Sequence, residues 1–240
     1  MLGRRGPQVG DKVQMLTDRQ DAGRRLASEL SKYGGRNDTV VLGLPRGGVV
    51  VAFEVARALG APLDIFLVRK LGAPGQEELA VGAIASGGIR VMNEDVVRAL
   101  GLTESRIEAI AAREQAVLEQ RERLYRGQSK PPDLAGKVVI LVDDGLATGA
   151  SMRTAIRSLK SRAPARVVVA VPTAPPDTCA VLAREVDETV CLMTPEPFYG
   201  IGSWYLDFSQ TSDEDVVELL QKAELLRPAR AAPNAEVGSL

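Results

Sequence analysis

Histidine is absent from the 240 residues. Imidazole is the side chain that titrates near neutral pH and a common metal ligand. Ser-His-Asp hydrolases, Cys-His proteases and HExxH zincins are therefore excluded together. Cysteine occurs only at Cys179 and Cys191, too few for a disulfide framework or a thiolate cluster. Two small buried apolar side chains in a reducing cytosol are the expectation. Aromatic residues make up 4% of the chain. No run of about 18 or more apolar residues occurs, so no membrane-spanning helix is expected. The stretch 1–14 has no apolar run after its arginines, unlike a signal peptide. Charge of one sign is lacking as well: 30 Lys and Arg against 31 Asp and Glu leave −1. That balance removes the global electrostatic reason to expect nucleic acid or an anionic membrane as partner. A cytoplasmic protein is expected.

What is present, 45% hydrophobic and 25% charged residues, suits a globular chain able to bury a substantial core. Short β-branched runs alternate with helical patterns, which argues for parallel βαβ units. Helices are expected at 18–32, 49–59, 103–125, 151–161, 177–185 and 213–226, and strands at 40–44, 63–68, 138–142, 166–171 and 189–193. The glycine-rich stretch 71–88 reads as a loop, with short strands conceivable at 80–85 and 89–92. On 103–125 the apolar stripe Ile107, Ile110, Val117, Leu118 and Leu124 suits a core face, and a dimer seam is the sharper alternative. Glu119–Arg123 and Glu122–Arg126 stand at helical pair spacing. Residues 1–17 and 227–240 read as a flexible segment and a disordered tail.

The most informative stretch runs from Val139 to Ser151. An apolar strand delivers Asp143 and Asp144 at its C-terminal end, and a small-residue loop then opens into a helix. Ligands bind beyond strand ends in open α/β sheets, and a helix N-terminus favours an anion such as phosphate. Thr148 and Ser151 add hydroxyls, and Gly149 permits close backbone approach. Neighbouring strand residues point to opposite faces, so the two acids suit sugar hydroxyls or a water-clad Mg²⁺ better than paired acid/base work. A lone Asp-Asp-Gly could be a tight turn with an acidic cap; the whole arrangement asks for more. A Walker A loop fails, because no Gly-Lys-Ser/Thr follows.

This segment resembles the signature with which type I phosphoribosyltransferases bind phosphoribosyl pyrophosphate (PRPP). The resemblance extends over most of residues 18–226, and is closest to a bacterial subgroup whose acceptor is generally unassigned. It implies an α/β fold: a parallel-sheet phosphoribosyltransferase core with helices on both faces, a flexible loop and a C-terminal hood. Hood elements fall at about 71–92 and 195–210, and a helical insertion at about 93–130. Ala147, Thr148, Gly149, Ala150 and Ser151 would then hold the 5-phosphate. Arg46, Gly47 and Gly48, with Arg69 and Lys70, would meet the pyrophosphate. Asp143 and Asp144 would hold the ribose hydroxyls and, through water, Mg²⁺. Gln76, Glu77 and Glu78 would lie on a polar lid.

Five of the nine aromatic residues cluster in 198–208. Phe198, Tyr199 and Trp204 could stack on a heterocyclic base, with Asp207 accepting from a ring N–H; a satellite apolar cluster is the other reading. The implied activity, within nucleotide metabolism, is Mg²⁺-dependent transfer from PRPP to a nitrogenous, purine-like base. Asp143, Asp144, Arg69 and Lys70 would be its catalytic groups. With no histidine, Asp144 is the first choice for a base. A PRPP-binding sensor without transfer activity is the alternative, and a PRPP synthase is disfavoured by the absence of a repeat. A homodimer is a further expectation; nucleic acid and membrane partners are not.

Overall fold

The structure is a computed structural model that describes residues 15–226. Its floor is a parallel five-stranded sheet of β1 (Thr39–Gly43), β2 (Leu63–Ile65), β6 (Val138–Val142), β7 (Arg166–Thr173) and β8 (Glu188–Met193), ordered β2-β1-β6-β7-β8. Above its edge stands an antiparallel sheet of β3 (Val68–Ala73), β4 (Gln76–Ala85) and β5 (Ile89–Met92). The helices are α1 (Arg19–Glu29), α2 (Gly47–Leu59), α3 (Glu94–Ala99), α4 (Glu104–Arg126), α5 (Ala150–Lys160), α6 (Pro176–Leu182) and α7 (Asp213–Leu225).

Every residue of β1 and β6 is buried, as expected of parallel strands covered on both faces. Alternate side chains go to opposite faces. Val138, Ile140 and Val142 meet α1 and α2 through Leu26, Val51 and Val55. Val139 and Leu141 meet Met152, Ile156 and Leu182 of α5 and α6. The helices on both faces match the sequence expectation.

Three expectations change at the hood. The strand expected at 63–68 is two strands: Phe66 stays in the floor core while Leu67 joins the hood core. There the Leu67 N–H donates to the Ser86 hydroxyl oxygen at 2.9 Å. The loop expected at 71–88 is β3 and β4, with Leu71 opposite Gly82. Its glycines mark close approach rather than looseness: a Cβ on Gly72 would lie 2.6 Å from the Glu77 carbonyl, and one on Gly82 would lie 2.6 Å from that of Val91. Of the α4 stripe, Ile107 and Leu118 are buried and Ile110 and Val117 half-buried. Ile107, Ala111, Leu118 and Tyr125 are buried, the last three against Leu71, Val81, Ile84 and Val216. The dimer expectation thus loses the face it was argued from. Leu124 alone of that stripe is strongly exposed, at 52%. Both helical pairs form, Glu119–Arg123 at 3.7 Å and Glu122–Arg126 at 2.8 Å.

Cys179 and Cys191, expected as free thiols, form a disulfide between α6 and β8, with Cα atoms 6.8 Å apart. Packing of α6 against the outer strand brings them together, and spacing in the sequence does not reveal it. The N-terminal segment expected to be flexible is fixed at its described end. Leu16 is fully buried, and its N–H donates to the Trp204 carbonyl at 3.0 Å while its carbonyl accepts from Leu206 at 2.8 Å. Residues 1–14 and the tail 227–240 lie outside the described residues. None of the described helices is long and apolar enough to cross a membrane.

Candidate active site

The C-terminal ends of β1, β6 and β7 open on one edge of the floor. Leaving β1, the chain turns through Leu44, whose N–H donates to the Val142 carbonyl at 2.9 Å. It passes a cis Pro45–Arg46 peptide and enters α2 at Gly47. This turn lies directly on the acids. A Cβ on Gly48 would sit 2.8 Å from Asp143 Oδ1, and one on Gly47 would fall on Asp144 Oδ2. Only glycine lets the turn and the carboxylates approach this closely. Arg46 is exposed and its side chain makes no hydrogen bond or ion pair among the described residues.

Leaving β6, Asp143 and Asp144 follow the last sheet pair. Burial, then the charge of Asp144, push the Asp143 carboxyl well above its ordinary value. Its Oδ1 accepts from the Asp144 N–H at 2.9 Å. The loop then runs to Gly149, whose left-handed backbone (φ 69°) starts α5 with no side-chain cap from that residue. The first amides of α5 therefore face outward with little protein competition, as an anion site requires; Thr148 Oγ1 takes the Ala150 N–H only at 3.4 Å. Ala147, Thr148, Ala150 and Ser151 are exposed and Gly149 is buried. Thr178 braces this loop from α6, its hydroxyl donating to the Ala147 carbonyl at 2.9 Å.

The remaining candidates scatter more. Lys70 is exposed on β3, and Arg69 is engaged by α4: its Nε and Nη2 both donate to Glu114 Oε2, at 2.7 and 2.6 Å. Burial pushes the Glu114 carboxyl up, but hydrogen bonds and charge from Arg69 and Arg113 outweigh it, so the carboxyl sits below its ordinary value. In the aromatic run, Tyr199 is 80% exposed and Phe198 half-buried. Asp207 is exposed and folds onto Ser209, accepting from its N–H at 2.9 Å. The Trp204 indole N–H is buried without a partner.

Two residues of that run, passed over in the sequence, do reach the acids. Tyr205 donates its hydroxyl to the Asp144 carbonyl at 2.5 Å, and Phe208 stacks beside it with ring centres 4.9 Å apart. Opposite them, Arg19 Nε donates to Asp144 Oδ2 at 2.7 Å, and the guanidinium lies 3.9 Å over the Phe208 ring. No local pattern announces a partnership between residues 125 positions apart.

The family assignment rests on comparison as well as geometry. Residues 12–192 match the phosphoribosyl transferase domain. The chain belongs to the phosphoribosyl transferase family. Two Mycobacterium tuberculosis relatives, Rv0571c of strain H37Rv and MT0597 of strain CDC 1551, carry phosphoribosyl transferase as a provisional description. Each is 47% identical over 212 residues, 88% of this chain. The chain spans about half the length of these curated relatives, 47% of each. The crystal structure of TT1426 from Thermus thermophilus superposes with a TM-score of 0.78. It is 46% identical over 87% of this chain and 98% of its own. In this member of the family the parallel floor, and the edge on which its acids stand, therefore follow a fold already seen in a relative.

The donor set also tests the divalent ion that the family implies. Among the described residues no cluster of three or more His, Cys, Asp or Glu side chains could hold a metal unaided. Asp143 and Asp144, beside the space kept by Gly47 and Gly48, suit Mg²⁺, which keeps waters and shares one or two carboxylates with substrate phosphates. The residues present fit the ion.

Proposed function

We propose that the protein transfers the phosphoribosyl group of Mg·PRPP to a small nitrogenous heterocycle and releases pyrophosphate. The observation that carries this reading is the convergence, on one edge of the floor, of the acid pair, the uncapped start of α5 and the Gly47–Gly48 turn. Phosphate, sugar hydroxyls and diphosphate each have a chemically suited surface there. Bound Mg²⁺ would supply charge neutralisation of the diphosphate.

In this reading the amides and hydroxyls of 147–151 hold the 5-phosphate, and Asp143 and Asp144 accept from the ribose hydroxyls. Arg46 and the amides of Gly47 and Gly48 meet the departing diphosphate, with Arg69 and Lys70 on the hood side. The C1–oxygen bond to diphosphate breaks as the acceptor's ring nitrogen bonds C1 with inversion, and the acceptor's proton leaves to a carboxylate or water. The sugar carries cationic character between these events, so positioning and charge stabilisation dominate. The hood excludes water from it. Arg69 is held by Glu114, so its part requires that it reach diphosphate beside, or in place of, that carboxylate. A purine-like acceptor rests on the aromatic segment 198–208 alone. A cytoplasmic setting is part of the proposal. Reduction of the disulfide there would leave Cys179 and Cys191 packed against the same apolar cluster.

The test is pyrophosphate release from Mg·PRPP across purine, pyrimidine and related bases. Release dependent on one base is expected and names the acceptor. Tight Mg·PRPP binding with no release across the panel would replace transfer by a sensing role. Absence of binding would overturn both.

A further inference from the structure

Among the described residues, Arg19 is the one basic side chain paired with Asp143 or Asp144, and its contacts go further than a charge pair. Besides Asp144 Oδ2 at 2.7 Å, the guanidinium donates from Nη1 to the Ser209 carbonyl at 2.6 Å and covers the Phe208 ring at 3.9 Å. Only 11% of the Arg19 side chain and 14% of the Asp144 side chain are exposed, so water screens the pair weakly. The segment 205–209 is fastened to the same acid from the other side, by the Tyr205 hydroxyl on the Asp144 carbonyl. One carboxylate thus has a built-in cation, and that cation also holds down the chain segment lying over it.

A carboxylate can serve a guanidinium and a metal-bound sugar fully only by sharing. We propose that Arg19 is a positioning residue that occupies Asp144 until a divalent cation arrives and then yields to it, so that cation loading loosens the 205–209 segment. This rests on the reading of Asp143 and Asp144 as the cation and sugar site. Its chemical basis is competition: Nε keeps Asp144 neutralised and in place, and the flat fork lets one side chain bind the Ser209 carbonyl and stack on Phe208 simultaneously. Lysine offers the charge without the fork. When the carboxylate is drawn to a cation, the guanidinium loses its charged partner, and Ser209 and Phe208 lose a fixed anchor. The base side of the site then becomes adjustable only after the sugar side is loaded.

The protein carries its own reporter, since Trp204 is its only tryptophan and adjoins Tyr205. The experiment compares the full chain with Arg19→Lys and Arg19→Met, all carrying pyrophosphate as co-ligand. Mn²⁺ affinity is read from the paramagnetic signal of free ion, and Trp204 emission is followed during Mg²⁺ addition. Wild type should show an emission change with the midpoint of cation binding. Arg19→Met should bind Mn²⁺ at least fivefold more tightly, its competitor gone, and start with the emission of loaded wild type. Arg19→Lys should keep near-wild-type affinity but lose most of the emission change. Equal Mn²⁺ affinity in wild type and Arg19→Met overturns the inference. So does a silent Trp204 in wild type, or failure of wild type to bind the cation. If Arg19→Met does not fold, an unaltered emission change in Arg19→Lys overturns it instead. The emission and affinity results stand apart from transfer. Coupling without PRPP turnover would remove the proposed function alone, and turnover without coupling would remove this inference alone.

Discussion

The floor and the hood solve the same problem, holding charged groups at a fixed edge, by different means. On the floor, β6 is buried on both faces, and apolar packing alone brings Asp143 and Asp144 to the strand end. On the hood, one face of β3 and β4 packs on α4, and a charge pair, Arg69 on Glu114 at 2.6 Å, fastens sheet to helix. The acids stand in reversed situations. Asp143 is pushed up by burial beside Asp144, whereas Glu114 is held down by its arginines. A carboxylate under strain from its surroundings is what a site needs; one satisfied by its surroundings is what a scaffold needs.

The sharpest break in that comparison is Asp143→Asn with Asp144→Asn. Mg·PRPP affinity should fall roughly 10²–10³-fold, the size seen when preorganised polar groups are removed from a site. Thermal stability should change little, because removing the raised Asp143 acid is set against leaving the Arg19 guanidinium without its carboxylate. Calorimetric titration and melting check the two halves, and a large fall in melting temperature would make the pair scaffold rather than site.

Next come paired core truncations. Ile140→Ala in the middle of the floor, where the side chain is fully buried, should cost about 2–5 kcal/mol of global stability. Ile84→Ala, 2% exposed in the hood, should act regionally, speeding amide exchange in 68–92 more than in 138–142. Equal effects on both regions would show that hood and floor unfold as one unit.

Glu114→Gln is milder. It leaves Arg69 without its charged partner at a site about one-third open to solvent on the arginine side, so a loss of about 1–2 kcal/mol is expected from denaturant unfolding. If Arg69 serves the diphosphate, the same variant should alter PRPP affinity as well.

The smallest effect is on pH. Glu114, lowered in the folded state, contributes stability that is present above its ordinary value of 4.5 and is lost as pH falls through its folded value. Asp143, raised in the folded state, gives the opposite sign: the folded protein gains stability as pH falls through its raised value towards its ordinary one. Acid should therefore loosen the hood before the floor. Exchange measured region by region from neutrality to well below the ordinary Glu114 value of 4.5 reads this, and Glu114→Gln should flatten the hood's share.

The floor was legible because its strands are unbroken apolar runs and its acids and loop form one contiguous segment, 139–151. The hood was not. Glycines at 72 and 82 read as slack when they are close approaches to Glu77 and Val91, a distinction that exists only once strands are paired. The disulfide and the Arg19–Asp144 pair were equally hidden, each depending on elements brought together by the sheet. In the aromatic run the clustering was visible and the contacts were not. The sequence pointed to exposed Tyr199, whereas Tyr205 and Phe208 are the rings that face the acids and Arg19.

The pairing of Leu16 with Tyr205 has a consequence for the order in which the molecule is made. A ribosome delivers Arg19 early, the acids past the middle, and 205–209 near the end of the described chain. Floor strands can form and pair while the last segment is still in the exit tunnel, yet the enclosure around Asp144 cannot be finished until it emerges. Closing contacts of such long sequence separation are the slow ones. The nascent protein therefore passes through an interval in which its acids stand at the edge of a folded sheet without their cover.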